Sequence, residues 1–521
     1  MNFKVNDNML EEALAKVEVV RSWSPRVISK LENSIRTSND EDLFRINPLQ
    51  WGQDKNMDAH ETVDLFLHGT KAGLFYMEWN VICPCCGKIT QSLRDLHSVQ
   101  SQINCTVCFR NDQATLDDYV QITFTIAPSI RSIRFHNPET LSLEDYCFTY
   151  LFERGVRFGE GGTIKLIDFI GNFTNHFSTF SPGEKIKVEA EASHGFIFCN
   201  DLFSQKGFAF LVDDAPTAEL QTLAIKLTGD GFEVPLPQIE PGEYRVAHKF
   251  MTGTFYPLHP GKLVLELEQD SAAKAALMVW HAPMDLIGAN PDVGFVPCLT
   301  ASQLFASQTF HDLFHEEVFR ESEGFGVKDV TILFTDLKSS TQLYQQIGDL
   351  NAFALVREHY GVLTKAILNQ HGAVVKTIGD AIMATFTQPV EAVGAGLEML
   401  KELRQMNQAY QRGDLILKIG IHRGAAISVT LNERIDYFGQ TVNIAARVQG
   451  SAGGEEIYLT EEIYNSPGVL ELLENQHCQT ESVQLQLKGI EEQVKIYKVT
   501  SAEANTLPAR ASKGVPDKVE L

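Results

Sequence analysis

Along the chain the spacing of apolar positions changes character several times, and each change marks a different kind of element. Up to about residue 75, LEEALAKVEVV places apolar residues at helical spacing and SPRVISKLENSI opens with a Ser-Pro helix start, so a helical lead-in is predicted over 1–75. Over 76–135 the apolar strands FYMEWNVIC and DYVQITFTI flank two Cys-x-x-Cys pairs, the layout of a zinc-ribbon-like segment. Over 136–290 the period shortens to two in KIKVEAEA, GFIFC and KLVLELEQ, with SPGE, TGDG, EPGE and HPGK between runs. Frequent turns between alternating strands predict an all-β, sandwich-like module. LTASQLFASQTFHDLFHEEVFRE then returns to helical spacing, with Phe310, Leu313, Phe314 and Val318 on one face. Such a stripe is ordinary core packing or, across 291–325, a helix that couples two domains.

Residues 326–499 read as strand, helix, hairpin, helix, strand, strand, helix. VTILFTDL is a strand, SSTQLYQQIGDLNAFALVREHYGVLTKAILNQHG is helical, and AVVKTIGDAIMATF folds back on itself around Gly379-Asp380. Gly beside Asp between alternating strands is a two-residue hairpin turn, with Gly at the position that needs positive φ. A helix over 388–411, the strands LKIGIHRG and AAISVT, and a helix from Gly439 complete a ferredoxin-like βαββαβ core with additional pieces. The fold class is therefore multidomain α+β. The tail over 500–521 has little to bury and is expected to be mobile.

Composition narrows the setting. A chain of 521 residues exceeds one ordinary core, and 44% hydrophobic with 21% charged residues is a globular balance rather than a disordered one. MNFKVNDNMLEEALAK lacks the apolar centre of a signal peptide, and no apolar run is long enough for a membrane span, so a cytoplasmic location is expected. The formal charge of -23 argues against nucleic acid as a partner, because phosphate binding draws on Lys and Arg. Five of the nine cysteines crowd between Cys83 and Cys108, which in a cytoplasmic chain points to metal rather than disulfides. Cys83, Cys86, Cys105 and Cys108, with 18 residues between the pairs, have the spacing of a four-thiolate zinc site. Four thiolates leave no open coordination position, so the Zn²⁺ would be structural. Free buried thiols are the alternative, and Cys85 offers a competing ligand.

The stretch FTDLKSST raises the question of chemistry, since a strand fit for burial ends in the carboxylate of Asp336. It is either a strand stop that caps the following helix or half of a metal site. In a ferredoxin-like sheet the first strand lies beside the hairpin, so Asp336 and Asp380 can converge. Two carboxylates a few ångströms apart repel unless divalent cations separate them, and that arrangement is a two-metal site for phosphoryl chemistry.

FTDLKSST, VVKTIGDAIMATF, KIGIHRG and DYFGQTVNIAARVQG together resemble the catalytic domain of class III nucleotidyl cyclases, across about 170 residues and in family order. The resemblance implies that Asp336 and Asp380 bind two Mg²⁺ or Mn²⁺ ions, with the main chain of Ile332 and Leu337 assisting metal and phosphate. It makes Lys376 and Asp436 the base-selecting pair. Lys can donate to adenine N1 and a carboxylate can accept from its amino group, so ATP is the expected substrate and guanine would be mispaired. It gives Asn443 the ribose, Arg447 the charge that develops on the α-phosphate, and Lys488 the terminal phosphates. Asn443 and Arg447 stand at i and i+4, on one helix face. In the family the metal carboxylates and the base-selecting residues come from different chains, so a homodimer with shared sites is implied. The family has Gly where Ser339 stands; if that position needs positive φ, the phosphate loop is strained. The stretch from His60 to Arg134 resembles an uncharacterised domain that precedes some bacterial class III cyclase domains, which implies a regulatory attachment with an unknown ligand. A catalytically silent nucleotide-binding dimer and a guanylate cyclase are the competing functions.

Overall fold

The computed structural model describes residues 5–84, 86–105, 110–158, 164–213, 220–234, 242–244, 253–285, 293–490 and 493–501. Cys85, Cys108 and residues 502–521, which the zinc and tail expectations invoke, lie outside the described residues. The chain divides into two compact units: Met1–Leu304 with Asp312–Gly326 and Asn432–Arg434, and Phe305–His311 with Val327–Leu431 and Ile435–Leu521.

The first unit opens with the helices Asp7–Glu18, Val27–Thr37, Pro48–Asp54 and Ala59–Lys71. Three have a side-chain cap: Asn6, Asn47 and Asp58 each accept an amide of the first turn, and Pro48 follows Asn47 where a missing N–H costs nothing. Their apolar stripes pack on a three-stranded sheet of Ile89–Leu93, Phe75–Ile82 and Val120–Ile126. Phe66 lies 5.0 Å from Phe75 and 5.1 Å from Phe124, ring centre to ring centre. These helices are thus half of an α+β core, and their burial rather than their propensity holds them.

Next comes a sandwich of a six-stranded and a four-stranded sheet. In the central strand Gly195–Asp201, Ile197 and Cys199 join Leu223, Ile225, Leu265 and Leu267 between the sheets. Phe196 and Phe198 face the other way, toward Phe255, Trp280 and the thiols of Cys83, Cys86 and Cys105. A strand buried on both faces reads as a continuous apolar run, which GFIFC is.

The segment after the sandwich departs from the expected single helix. It forms two short helices, Ala301–Phe305 and Gln308–Leu313, and the stripe stops there. Tertiary contacts claim the later residues one by one. Phe314 lies under Lys71 Nζ at 4.7 Å, Phe319 stacks on Phe325 at 4.6 Å, and Glu317 accepts the Leu96 amide at 2.7 Å.

β1 (Gly324–Leu337), which belongs to the second unit from Val327 on, leads to α1 (Ser340–Ile347) and α2 (Asp349–Asn369), followed by the hairpin β2 (Ala373–Ile378) and β3 (Ala381–Phe386). Then come α3 (Pro389–Ala409), β4 (Leu417–Leu431), β5 (Arg434–Phe438), α4 (Gln440–Ser451), β6 (Glu456–Thr460), β7 (Gln479–Leu485) and β8 (Val494–Thr500). The sheet order is β2-β3-β1-β4-β6-β8-β7, with β5 paired to β4. The first four strands are the ferredoxin-like set, and β6 to β8 extend it. Residues 330–335 of the central β1 are buried throughout, and Leu333, Ile382, Met399, Ile419 and Leu459 share its core. Gly420 lets α4 settle on β4, because a Cβ there would stand 2.2 Å from the Gln449 amide nitrogen.

Candidate active site

The register carries two carboxylates to one edge. Ile332, Leu333 and Phe334 of β1 face Thr385, Ala384 and Met383 of β3, so continuing the ladder brings the end of β1 to the β2–β3 turn. Thr335 Oγ1 continues it by accepting the Ile382 amide at 3.0 Å. Gly379 takes φ +65° in the turn, Tyr360 Oη donates to its carbonyl, and Asp380 Oδ2 accepts the Leu337 amide at 3.1 Å. Asp380 is therefore latched to the last residue of β1, next to Asp336.

The neighbourhood is electrostatically unfinished. Burial first, and the Asp380 charge second, push the Asp336 carboxyl above its ordinary value of 3.8, while Lys418 and a hydrogen bond from Gln449 oppose them. Lys418 Nζ stands 4.0 Å from Asp336 Oδ2, too far for a tight ion pair. The Tyr344 phenol is pushed up to about 12 by burial and by Asp380, and its hydroxyl is buried with no hydrogen-bond partner among the described residues. His359 is fully buried, and burial lowers it to about 4 although the Asp380 main chain and charge oppose the shift. Two oxygen donors with surplus negative charge are the donor set of a hard divalent cation, so the residues fit Mg²⁺ or Mn²⁺.

A second pair is already formed. Lys376 Nζ donates to Asp436 Oδ2 at 2.5 Å, and Asp436 Oδ1 accepts the Tyr437 amide at 2.8 Å. Asp436 is 6% exposed on β5, so its charge relies on these partners, while the Lys376 side chain remains 36% exposed on β2. One face of the pair can thus meet a ligand as donor and acceptor side by side.

Asn443 and Arg447 are both exposed on α4, which begins at Gly439 with φ +136°. Neither side chain has a hydrogen bond or ion pair among the described residues. Lys488 is exposed before Gly489, in the connection between β7 and β8, and is likewise unpartnered. Ser339 takes φ 60° and ψ 30° as the residue before α1 and makes no side-chain cap. Ile332 is not brought to the carboxylates. It is fully buried opposite Thr385, four residues or ~13 Å of strand rise from Asp336, whereas the Leu337 amide does reach Asp380. Lys418, Gln449, Tyr344 and His359 escaped the sequence analysis. Lys418 opens the KIGIHRG motif and Gln449 lies two residues after Arg447, and those positions are the signal that could have found them.

At the other end of the chain, the sulfurs of Cys83, Cys86 and Cys105 lie within 4.8 Å of one another, with Cys86 and Cys105 at 3.6 Å. The first pair sits on a tight turn in which Gly87 donates to the Cys83 carbonyl at 2.8 Å and Cys83 donates to the Lys88 carbonyl at 2.8 Å. Gly87 is required there, since φ is +68° and a Cβ would stand 2.1 Å from Val156. Three buried soft donors, two on this turn and Cys105 at the end of the strand Gln102–Cys105, fit zinc.

Residues 10–312 match a family of unknown function, DUF5939, and residues 325–501 match the adenylate and guanylate cyclase catalytic domain. An adenylate cyclase of Anabaena cylindrica is 30% identical over 185 residues, 33% of this chain and 36% of that protein. An adenylate cyclase of Lachancea kluyveri is 31% identical over 154 residues, 26% of this chain and 8% of that protein. The chain thus spans little more than a third, or less, of these relatives. Among solved structures, the adenylyl cyclase CyaB from P. aeruginosa is 24% identical, with 37% of this chain and 100% of that one covered and a TM-score of 0.30. The guanylyl cyclase Cya2 is 21% identical, with 36% and 98% covered and a TM-score of 0.30.

Proposed function

The chain belongs to the DUF5939 family and carries an adenylate and guanylate cyclase catalytic domain, and from that premise we propose that it is an adenylate cyclase, converting ATP to 3′,5′-cyclic AMP and pyrophosphate. The observation that carries the substrate is the pairing of Lys376 with Asp436 at 2.5 Å. The ammonium donates to adenine N1 and the carboxylate accepts from the 6-amino group. Guanine offers a protonated N1 and a carbonyl, and two partly buried groups left mispaired discriminate strongly.

Asp336 and Asp380 would hold two Mg²⁺ or Mn²⁺ ions, which when bound acidify the ribose 3′-hydroxyl and neutralise the triphosphate. Asn443 orients the ribose. Arg447 offers its guanidinium to the charge that grows on the α-phosphate as the 3′-oxygen bonds to phosphorus and the bond to the pyrophosphate oxygen breaks. Lys488 holds the terminal phosphates. Exposed, and without a side-chain partner among the described residues, Asn443 and Arg447 can serve a second copy of the chain, so a homodimer shares its sites across the interface. Cys83, Cys86, Cys105 and Cys108 bind one structural Zn²⁺, the N-terminal unit regulates the cyclase, and the protein works in the cytoplasm. No helix among the described residues is long and apolar enough to cross a membrane.

The test is cyclic AMP formation by the purified chain with ATP and Mn²⁺, using Asp380→Ala as the inactive control. Nucleotide binding without cyclic AMP would replace this function with that of a silent sensor.

A further inference from the structure

The first unit contains a cavity of about 600 Å³ whose wall includes Arg154, Arg157 and Lys165. Arg45 and Lys55 line it too, so five cations meet three carboxylates, a local surplus that requires a reason in a chain of net charge -23. Arg157 and Lys165 are direct partners on neighbouring antiparallel strands, and like charges placed opposite one another repel.

Carboxylates line the same cavity, and although burial lowers the Arg154 pKa while Glu153 and Asp42 oppose that shift, none forms an ion pair with Arg154, Arg157 or Lys165 among the described residues. Asp42 accepts from the Asn39 amide at 3.3 Å, Asp54 from Gln50 Nε2 at 2.9 Å, and Glu153 from the Gly155 amide at 2.9 Å. The arginines instead donate to main-chain carbonyls: Arg154 Nη2 to Glu41 and Phe44 at 2.6 and 2.7 Å, and Arg157 Nη1 to Arg154 and Val156 at 2.8 and 3.1 Å. Carbonyls orient a guanidinium without discharging it. Lys165 is exposed, and among the described residues none of the three cations forms an ion pair.

We propose that this cavity binds a small molecule bearing a phosphoryl group, whose oxygens balance the cationic surplus at Arg154, Arg157 and Lys165. A fixed guanidinium fork matches phosphate oxygens, and a dianion answers three clustered cations better than a single carboxylate does. The volume falls in the range of metabolite pockets. The site lies wholly within the first unit and does not depend on the cyclase assignment.

Calorimetric titration of the full chain with glycerol 3-phosphate and fructose 1,6-bisphosphate, at constant ionic strength and with citrate as the carboxylate arm, tests it. These probes lack a base and a triphosphate, and Asp380→Ala serves as a second control against binding at the catalytic domain. At least one phosphate probe should bind saturably, at least ~10-fold more weakly to Arg157→Gln and Lys165→Gln and unchanged to Asp380→Ala, where ten-fold is the scale of one lost charge-assisted contact. Lys165→Gln breaks no side-chain bond among the described residues, so its ligand-free melting temperature should equal or exceed that of the parent, which separates lost binding from lost folding. Absence of saturable binding by either phosphate, binding retained in both variants, or tighter binding of citrate would overturn the proposal.

Discussion

Ser339 offers the sharpest link between one dihedral angle and a measurable property. It holds φ 60° and ψ 30° between β1 and α1, where an L-residue is disfavoured by about 1–2 kcal/mol and Gly is not. Its hydroxyl caps nothing, so Ser339→Gly removes the strain without removing a bond. Gly loses about 0.5–1 kcal/mol more chain entropy on folding, which leaves a net gain of about 0.5–1 kcal/mol. For a unit of this size that corresponds to roughly 1–4 °C in thermal midpoint. The assay is the temperature at which half the cyclase activity survives brief heating of the full chain, with Ser339→Val alongside. The β-branched side chain should lower the midpoint by more than Gly raises it. Relief of the loop should also lower the KM for ATP or raise kcat. Midpoints that coincide for Ser, Gly and Val would refute the claim that this position is strained.

Three further outcomes follow from the geometry. Asp380→Ala and Arg447→Ala, each inactive alone, should recover up to roughly a quarter of full activity when mixed, since random exchange leaves one intact site in half of the dimers; no recovery despite demonstrated subunit exchange would exclude a shared site. The purified chain should carry one zinc per chain through gel filtration, and Cys86→Ser should lose the metal and unfold at lower temperature, whereas a metal-free parent would leave the thiols as plain core. His422 is buried with Nδ1 3.0 Å from Thr460 Oγ1, and burial lowers it below the ordinary 6.5 although Glu462 opposes the shift. The fold therefore holds the neutral ring, so the stability it contributes is complete above about pH 6.5 and is lost as pH falls from there through the lower folded value. His422→Gln should make stability less dependent on pH below about 6.5, and an unaltered profile would contradict that assignment.

How far the chain could be read without its structure depended on the range of each interaction. FTDLKSST, the Gly379-Asp380 turn and KIGIHRG are local signals, and the hairpin register that follows from them does carry Asp380 to the end of β1. Ser339 was legible as a departure, and its positive φ makes the departure physical. Lys418 and Gln449 were not legible, because both approach Asp336 from elements far along the chain and no periodicity encodes that meeting. Ile332 shows the converse, since a plausible apolar residue near a motif lies well up the strand from the carboxylates. The stripe from Phe310 to Val318 failed as a single helix because periodicity specifies a face but not what competes for it; Lys71, Phe325 and the Leu96 amide took its later residues. The first helices looked like a lead-in for the same reason, as Phe66 finds Phe75 and Phe124 only in three dimensions.

The base-selecting pair is the centre of the account, and competition between substrates addresses it directly. With ATP and GTP present together at equal concentration and Mn²⁺ in excess, the purified chain should form cyclic AMP in at least ~100-fold excess over cyclic GMP, the scale of discrimination that mispaired buried polar groups impose. Lys376→Ala should collapse that ratio and leave Asp436 without its cation. Comparable amounts of the two cyclic nucleotides from the unaltered chain would contradict the assignment of Lys376 and Asp436 to adenine.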